Sequence, residues 1–409
     1  MEDAYWPAMR FLRLFLCILL TGSACARDYQ FDGSMPEPVL RSYLSRAMTQ
    51  MYLLTGQESL DDNIRMMKST GVKFAGRAVH NWGREQGGES ALPKKLERAK
   101  ADAAKIHAAD PEIILQACIF EIASSDVNNL AVPAWAFEAL GMPVEQRNFR
   151  FEDIAYANGS GRDQWGKDTC IPDVSRPETR LWFHYLAASY IDIGCEAIHF
   201  GQAELMNRND KDMVHWSSVL EHARAHAKKH ARRHFLLCDA HVPSGGLVKD
   251  GKLLYDFHSF PLRVEELPDR PKEGQLRVGY SDAIYGRSKG GITPSGWKCE
   301  HLPYLVELDN YGRSKEPGKA GMGVHWVWGW DEITWFSQLP EEARNAWLQY
   351  AWKWVREHDA EGYLQMPGGR CLAGSPEKKW WYYVNRKSEA TPEGFGQEDT
   401  IREIWAGDR

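Results

Sequence analysis

Helix-patterned and strand-patterned stretches alternate along the chain up to residue 241, and this alternation limits the fold more than any other feature. "SLDDNIRMMKST" (59–70) opens with Ser and two Asp, a cap and an acidic first turn that favour a helix start. "LPKKLERAKADAAKIHAAD" (92–110), "RPETRLWFHYLAASYIDIG" (176–194) and "HWSSVLEHARAHAKKHARRH" (215–234) also read as helices. Between them lie "VKFAGRAVHNWG" (72–83), "EIILQACIFE" (112–121), "CEAIHF" (195–200) and "FLLCDAH" (235–241). These short apolar runs read as strands buried on both faces. Helices alternating with such strands predict an α/β fold with a parallel sheet, because parallel neighbours need crossover helices.

The second half is less regular. "LRVGYSDA" (276–283), "PYLVELDN" (303–310) and "GVHWVWGWDE" (323–332) read as strands, joined by segments rich in Gly and Pro. "PEEARNAWLQYAWKWVREHD" (340–359) reads as a helix. With "AMTQMYLLTG" (47–56) as the first strand the total is eight, which predicts a (β/α)8 TIM barrel with long irregular loops in its second half. An open doubly wound parallel sheet is the alternative. The barrel is expected over residues 27–368, with 369–409 as a C-terminal extension packed on it.

The N-terminus reads as an export signal over residues 1–26: "MRFLR" is basic, "LFLCILL" is apolar and too short to span a bilayer, and "ACA" offers cleavage near Ala26. A secreted or periplasmic protein with no transmembrane segment is expected. Of the six later cysteines, Cys118, Cys195 and Cys238 read as buried thiols; Cys170, Cys299 and Cys371 fall in loops, where export permits a disulfide. No CxxC spacing suggests a zinc ribbon or redox pair. "NGS" (158–160) matches a glycosylation sequon by pattern.

A net charge of −6 argues against a nucleic-acid partner. Seventeen tryptophans in 409 residues leave room for flat stacking faces as well as for core packing. GxGxxG is absent, which argues against a nicotinamide fingerprint, and the one GxSxG pattern, residues 286–290, lacks the strand-to-helix context of a serine-nucleophile elbow.

In a barrel the functional side chains sit at the C-terminal ends of the strands. Under this strand count the ends carry His80, Asn81 and Trp82; Glu121; Gln202 and Glu204; Asp239 and His241; Asp282; Glu307 and Asp309; and Trp326, Trp328, Asp331 and Glu332. Asp331 and Glu332 also suit helix capping or a salt bridge. His222, His226, His230 and His234 share one helix face and read as a solvated stripe among Lys and Arg. "YGRSKGGITPSG" (285–296) reads as a long rim loop that can act as a lid.

Carboxylates mixed with aromatics on one rim suit glycoside hydrolysis, where one carboxylic acid protonates the leaving oxygen and the other attacks the sugar or activates water. With Glu204 on the fourth strand and "LVELDNYG" (305–312) carrying Glu307 on the seventh, the chain resembles the large clan of retaining barrel glycosidases. The family is not identified, and Ala203 stands where that clan has Asn. The resemblance implies Glu204 as acid/base and Glu307 as nucleophile. His80, Asn81, Gln202, Asp239, His241 and Asp282 would hold sugar hydroxyls, and Trp82, Trp326 and Trp328 would supply stacking faces. A carbohydrate substrate is implied, and no metal or organic cofactor is expected. Three alternatives stand beside it: an inverting glycosidase on the same barrel, a carbohydrate-binding barrel without catalysis, and a metal-dependent hydrolase using His241, Asp239 and Asp282.

Overall fold

A computed structural model describes residues 27–56 and 59–408, so the expected export signal lies outside the described residues. The fold is mixed α/β. Its main parallel strands are β1 (Ala47–Gln50), β2 (Phe74–Val79), β3 (Ile114–Cys118), β4 (Ala197–Gln202), β5 (Leu237–His241), β6 (His258–Pro261), β7 (Tyr304–Glu307), β8 (Gly362–Leu364) and β9 (Met366–Cys371). Parallel ladders join β1 to β2, β2 to β3, β3 to β4 and β4 to β5. Further ladders join β6 to β7, β7 to β8 and β9 back to β1. Only Gln365 separates β8 from β9, and its N–H donates to the Val306 carbonyl at 2.8 Å.

No ladder joins β5 to β6 among the described residues. That seam is crossed by Asp256 N–H donating to the Cys238 carbonyl at 2.8 Å and by Ser259 Oγ donating to Asp239 at 2.5 Å. An open doubly wound sheet reverses its strand order partway. Here the order follows the chain and the last strand lies beside the first, so that alternative is not the arrangement.

The main helices are α1 (Glu37–Leu44), α2 (Leu60–Thr70), α3 (Leu92–Ala109), α4 (Pro177–Asp192), α5 (Val214–His230), α6 (Glu332–Gln338), α7 (Glu341–His358) and α8 (Glu398–Gly407). Ser59 caps α2 by accepting from Asp62 N–H, as its sequence implies. None of the described helices is long and apolar enough to cross a membrane.

Two expected strands are not strands. Residues 276–283 run as turns, and the sixth strand is His258–Pro261, whose His and Ser dilute the apolar signal. Residues 323–332 instead hold a tight turn: Val327 and Trp330 bridge each other across Trp328 (φ 52°) and Gly329 (φ 84°). Positive φ at both central residues is the geometry of a two-residue hairpin turn. The eighth position is filled by β8 and β9, where Pro367, Gly368 and Gly369 imitate a turn in the sequence. A Cβ on Gly368 would lie 2.2 Å from Gln50 Nε2 and 2.3 Å from the Thr49 carbonyl, so close strand approach demands glycine there. Because the sixth strand is replaced one for one, Glu307 still ends the seventh.

The N-terminal ends of the strands are closed by α1. Leu40, Tyr43 and Leu44 pack on Ala47, Phe74, Ile114, Ala197, Leu237 and Leu305, the first or second residues of their strands. Each large apolar side chain buried there contributes about 1.5–3 kcal/mol. The 285–296 segment reaches the same floor: Met35 N–H donates to Ser295 Oγ at 2.9 Å, and Trp297 Nε1 donates to the Met35 carbonyl at 3.1 Å. It therefore lies at the end opposite the strand termini where a lid would act.

The 368 boundary falls inside β9. β10 (Trp381–Tyr383) pairs antiparallel with β9, and Glu398 of α8 accepts from both terminal nitrogens of Arg65 on α2 at 2.7 and 2.8 Å. Cys118, Cys195 and Cys238 are buried thiols as expected. Cys170 is buried too, and all six described cysteines are free.

Candidate active site

A cavity of about 330 Å³ opens at the C-terminal ends of the strands. It is built in linked layers of polar side chains that the strands carry inward. In the first layer, Glu307 ends β7 with its side chain 8% exposed. Its Oε1 accepts from Arg77 Nε at 3.0 Å and from Arg77 Nη2. Its Oε2 accepts from Thr49 Oγ1 at 2.9 Å and from Arg370 Nη1 at 2.7 Å. Burial alone would raise the Glu307 pKa, but the guanidiniums of Arg370 and Arg77 more than offset it and hold the carboxyl well below its usual range.

Arg77 reaches this position because β2 is irregular between Ala75 and Val79, and Arg77 itself has φ 61°. A non-glycine residue at positive φ is strained, and such strain persists where surrounding contacts hold it. Here Gln116 Oε1 accepts from Arg77 N–H at 3.0 Å.

Gln116 also starts the second layer. Its Nε2 donates to Asp239 Oδ1 at 2.7 Å, while Asp239 Oδ2 meets His199 Nδ1 at 2.7 Å and accepts from Ser259 Oγ. Asp239 is fully buried beneath the cavity and does not line it. His199, Ser259 and His241 do.

The third layer centres on Arg263, which has φ 52°. It pairs with Asp282 at 2.6 Å, Glu332 at 3.1 Å and Asp309 at 3.6 Å. Burial opposes ionisation of Asp282 and Asp309, yet Arg263 keeps both below their ordinary pKa. Glu332 differs: burial, reinforced by Asp309, pushes it up to about 7 despite Arg263. Asp331 caps α6 by accepting from Thr334 N–H at 2.8 Å, and burial pushes it up to about 7 as well. Burial and then Arg263 lower His241 to about 4, so its ring is neutral at ordinary pH.

The aromatic wall is formed by Trp82, Phe120, Trp165 and Tyr311. Trp82 meets Phe120 at 5.2 Å and Trp165 at 5.6 Å, both edge to face. Glu121 also lines the cavity, its oxygens accepting from Gln202 N–H at 2.7 Å and Gln202 Nε2 at 2.9 Å. A Cβ on Gly201 would lie 2.1 Å from Glu121 Oε2, so glycine there admits the carboxylate against the β4 backbone.

Of the residues singled out from the sequence, His80, Trp82, Glu121, Gln202, His241, Glu307 and Asp309 line the cavity. Asn81 follows β2 outside the lining, and its Oδ1 is buried without a partner. Glu204 sits on the single helical turn Ala203–Met206 beyond β4; its Oε1 accepts from Ser244 N–H at 3.2 Å and it does not line the cavity. Asp282 is held by Arg263 one layer away. Trp326 stacks on the cavity residue Tyr311 at 5.6 Å. Trp328 is turned aside, its Nε1 donating to the Glu273 carbonyl at 2.6 Å and its N–H to Glu266. Alternation along a strand does not apply to these tryptophans, because Trp328 is a central residue of the turn and Trp326 lies just before it.

Arg77, His199, Arg263 and Arg370 were missed in the sequence. Their signal was a charged or ionisable residue inside or just beyond a buried strand, where a partner is obligatory. Asp239, His241 and Asp282 do not form a metal-ligand set, since Asp239 has three hydrogen-bond partners and Asp282 is bound to Arg263. Among the described residues one His/Asp group has ligand spacing, Asp192, His226 and His230. The histidine stripe is thus only partly solvated: His222 and His226 are half-buried beside α4, and His234 lies past the end of α5 against Asp32 at 2.7 Å.

No protein-family model and no curated protein matches the chain. Among solved structures it is similar to a debranching enzyme from Nostoc punctiforme soaked with acarbose, at 10% identity, with 91% of this chain and 82% of that one covered and a TM-score of 0.41. It is also similar to a β-L-arabinopyranosidase from Geobacillus stearothermophilus in complex with arabinose, at 10% identity, 88% and 78% covered, and a TM-score of 0.38. A third is endo-glycoceramidase II from Rhodococcus sp. as its lactosyl-enzyme intermediate, at 12% identity, 87% and 78% covered, and a TM-score of 0.38. Superpositions this loose do not align one active site on another, so a role for any side chain rests on the geometry of this cavity alone.

Proposed function

We propose that the chain is an exported (β/α)8-barrel glycoside hydrolase that cleaves a glycosidic bond with retention. The observation that carries this reading is a buried, ionised carboxylate, Glu307, at the end of β7 in a cavity that also holds a second carboxylate, Glu121, and a wall of indole rings. Aromatic faces suit the apolar faces of sugar rings, and the polar side chains between them suit hydroxyls.

In this reading Glu307 attacks the anomeric carbon as the bond to the leaving oxygen breaks, and a carboxylic acid gives that oxygen its proton. The carboxylate left by that proton transfer then takes a proton from water, whose oxygen displaces Glu307. The two guanidiniums favour the anionic form of Glu307. Asp309 shares Arg370 with Glu307 and is likewise held ionised, so it does not serve as the acid. Glu121 faces the cavity without an arginine partner and takes the acid/base role. Glu204, the residue suggested by the fourth-strand resemblance, is the alternative donor.

Release of reducing sugar from a panel of glycans, with Glu307→Gln, Glu121→Gln and Glu204→Gln variants, tests this. The reading requires hydrolysis that Glu307→Gln and Glu121→Gln abolish. An inactive Glu204→Gln beside an active Glu121→Gln returns the acid role to Glu204. Inversion of anomeric configuration removes the retaining mechanism.

One observation favours a second reading, carbohydrate binding without catalysis. Glu307 Oε1 already accepts from two donor atoms and Oε2 from three, which fills the lone pairs a nucleophile needs. Sugar binding with no hydrolysis in the parent chain would establish it. Export rests on the basic, apolar and small-residue order of residues 1–26, and N-terminal sequencing of the mature protein tests it.

A further inference from the structure

We infer that the junction of α4 and α5 is a binding site for one zinc-class divalent metal ion, held by Asp192, His226 and His230. The site lies apart from the cavity and is independent of the hydrolase reading. His226 and His230 stand one turn apart on α5, with rings stacked at 4.1 Å and 7° between their planes. Residues four apart on a helix face the same way, so both imidazoles present nitrogens to one point. Asp192, the last residue of α4, supplies a carboxylate to that point.

The spacing suits tetrahedral coordination. Metal–ligand distances of roughly 2.0–2.2 Å put tetrahedral ligand atoms about 3.3 Å apart. Here Asp192 Oδ1 lies 2.8 Å from His226 Nε2 and 3.8 Å from His230 Nδ1, on either side of that value. All three ligand atoms fall within 4.8 Å of one another. Asp192 and His230 are exposed, so a fourth position is open to water.

A second feature marks the same junction. His184 on α4 is 5% exposed, and neither of its ring nitrogens has a hydrogen-bond partner. Its ring lies 6.2 Å from that of His226 and 6.1 Å from that of His222. Four imidazoles and one carboxylate therefore gather where two helices meet. Imidazole with carboxylate selects zinc, nickel, cobalt or copper over calcium or magnesium. Binding would clamp the end of α4 to α5.

Calorimetric titration of the untagged, chelator-treated full chain with zinc chloride tests the inference, with cobalt absorption reporting geometry. The expected result is one equivalent bound, a cobalt spectrum of tetrahedral intensity, and affinity at least tenfold weaker in Asp192→Asn and in His226→Ala/His230→Ala. Circular dichroism of these variants checks that the fold is retained. Absence of zinc binding, or an affinity that falls less than tenfold in the double variant, overturns the inference. Equal binding of magnesium or calcium overturns the assignment to a zinc-class ion.

Discussion

Arg77 reaches Glu307 from a left-handed backbone position, φ 61°, so the strained residue of β2 neutralises the buried carboxylate of β7. Arg370 from β9 completes the clamp at 2.7 Å. Three strands that are distant in sequence are tied by one carboxylate.

Removing the anion should therefore cost stability before it costs anything else. Glu307→Gln leaves Arg77 without its paired carboxylate and Arg370 with Asp309 alone, at 3.2 Å. Loss of one partner from a buried charge pair costs about 3–5 kcal/mol. Thr49→Val, which removes one neutral donor, should cost about 1 kcal/mol. Urea midpoints of the two variants measure the difference, and equal losses would show that the clamp is electrostatically idle.

The arginines should also set the acid limb of the pH profile. Burial raises the Glu307 pKa and the guanidiniums lower it, so deleting one charge moves it upward. In Arg77→Met the acid limb of kcat/KM should shift to higher pH, because the free protein must first lose the Glu307 proton. An unmoved limb would mean that Glu307 is not the group titrating there.

Glu332 gives the opposite sign in stability. Its pKa rises from 4.5 to about 7 in the folded chain, through burial first and Asp309 second. Between those values the folded state holds the extra proton, so stability falls as pH rises through the window and stays low above it. The loss assigned to Glu332 is about 3 kcal/mol. Glu332→Gln, which keeps an acceptor for Arg263, should show a smaller decline in thermal midpoint between pH 4.5 and 7 than the parent.

The indole wall should act on binding more than on chemistry. Trp82→Ala is expected to raise KM about tenfold, as loss of one stacking face removes about 1–1.5 kcal/mol. The change in kcat should be much smaller. A fall in kcat with unchanged KM would place Trp82 at the reacting centre instead.

The first five strands could be read from the sequence because each is a short apolar run beside a helix with a clear cap or stripe. β6 could not, since His258 and Ser259 each have a buried polar partner and break the apolar run. β9 hid behind Pro367, Gly368 and Gly369, of which Gly368 is forced by close approach to β1. The site was legible where a carboxylate or aromatic ended a strand, as with Glu307, Trp82 and Gln202. It was illegible where cations inside strands did the organising, as with Arg77 and Arg370. Their partners come from elements more than sixty residues away in the chain, and no local pattern encodes such pairs.

The floor beneath the strands has one further consequence. Arg27 meets Asp408 at 2.8 Å, and Arg46, just before β1, donates to the Trp405 carbonyl at 2.7 Å. Beginning and end of the described chain are clasped at the face away from the cavity. A short linker could splice them, and new termini could be opened in a surface loop elsewhere. Such a circular permutant would carry the same cavity on a rewired chain, which separates the geometry of the site from the order in which its strands are synthesised.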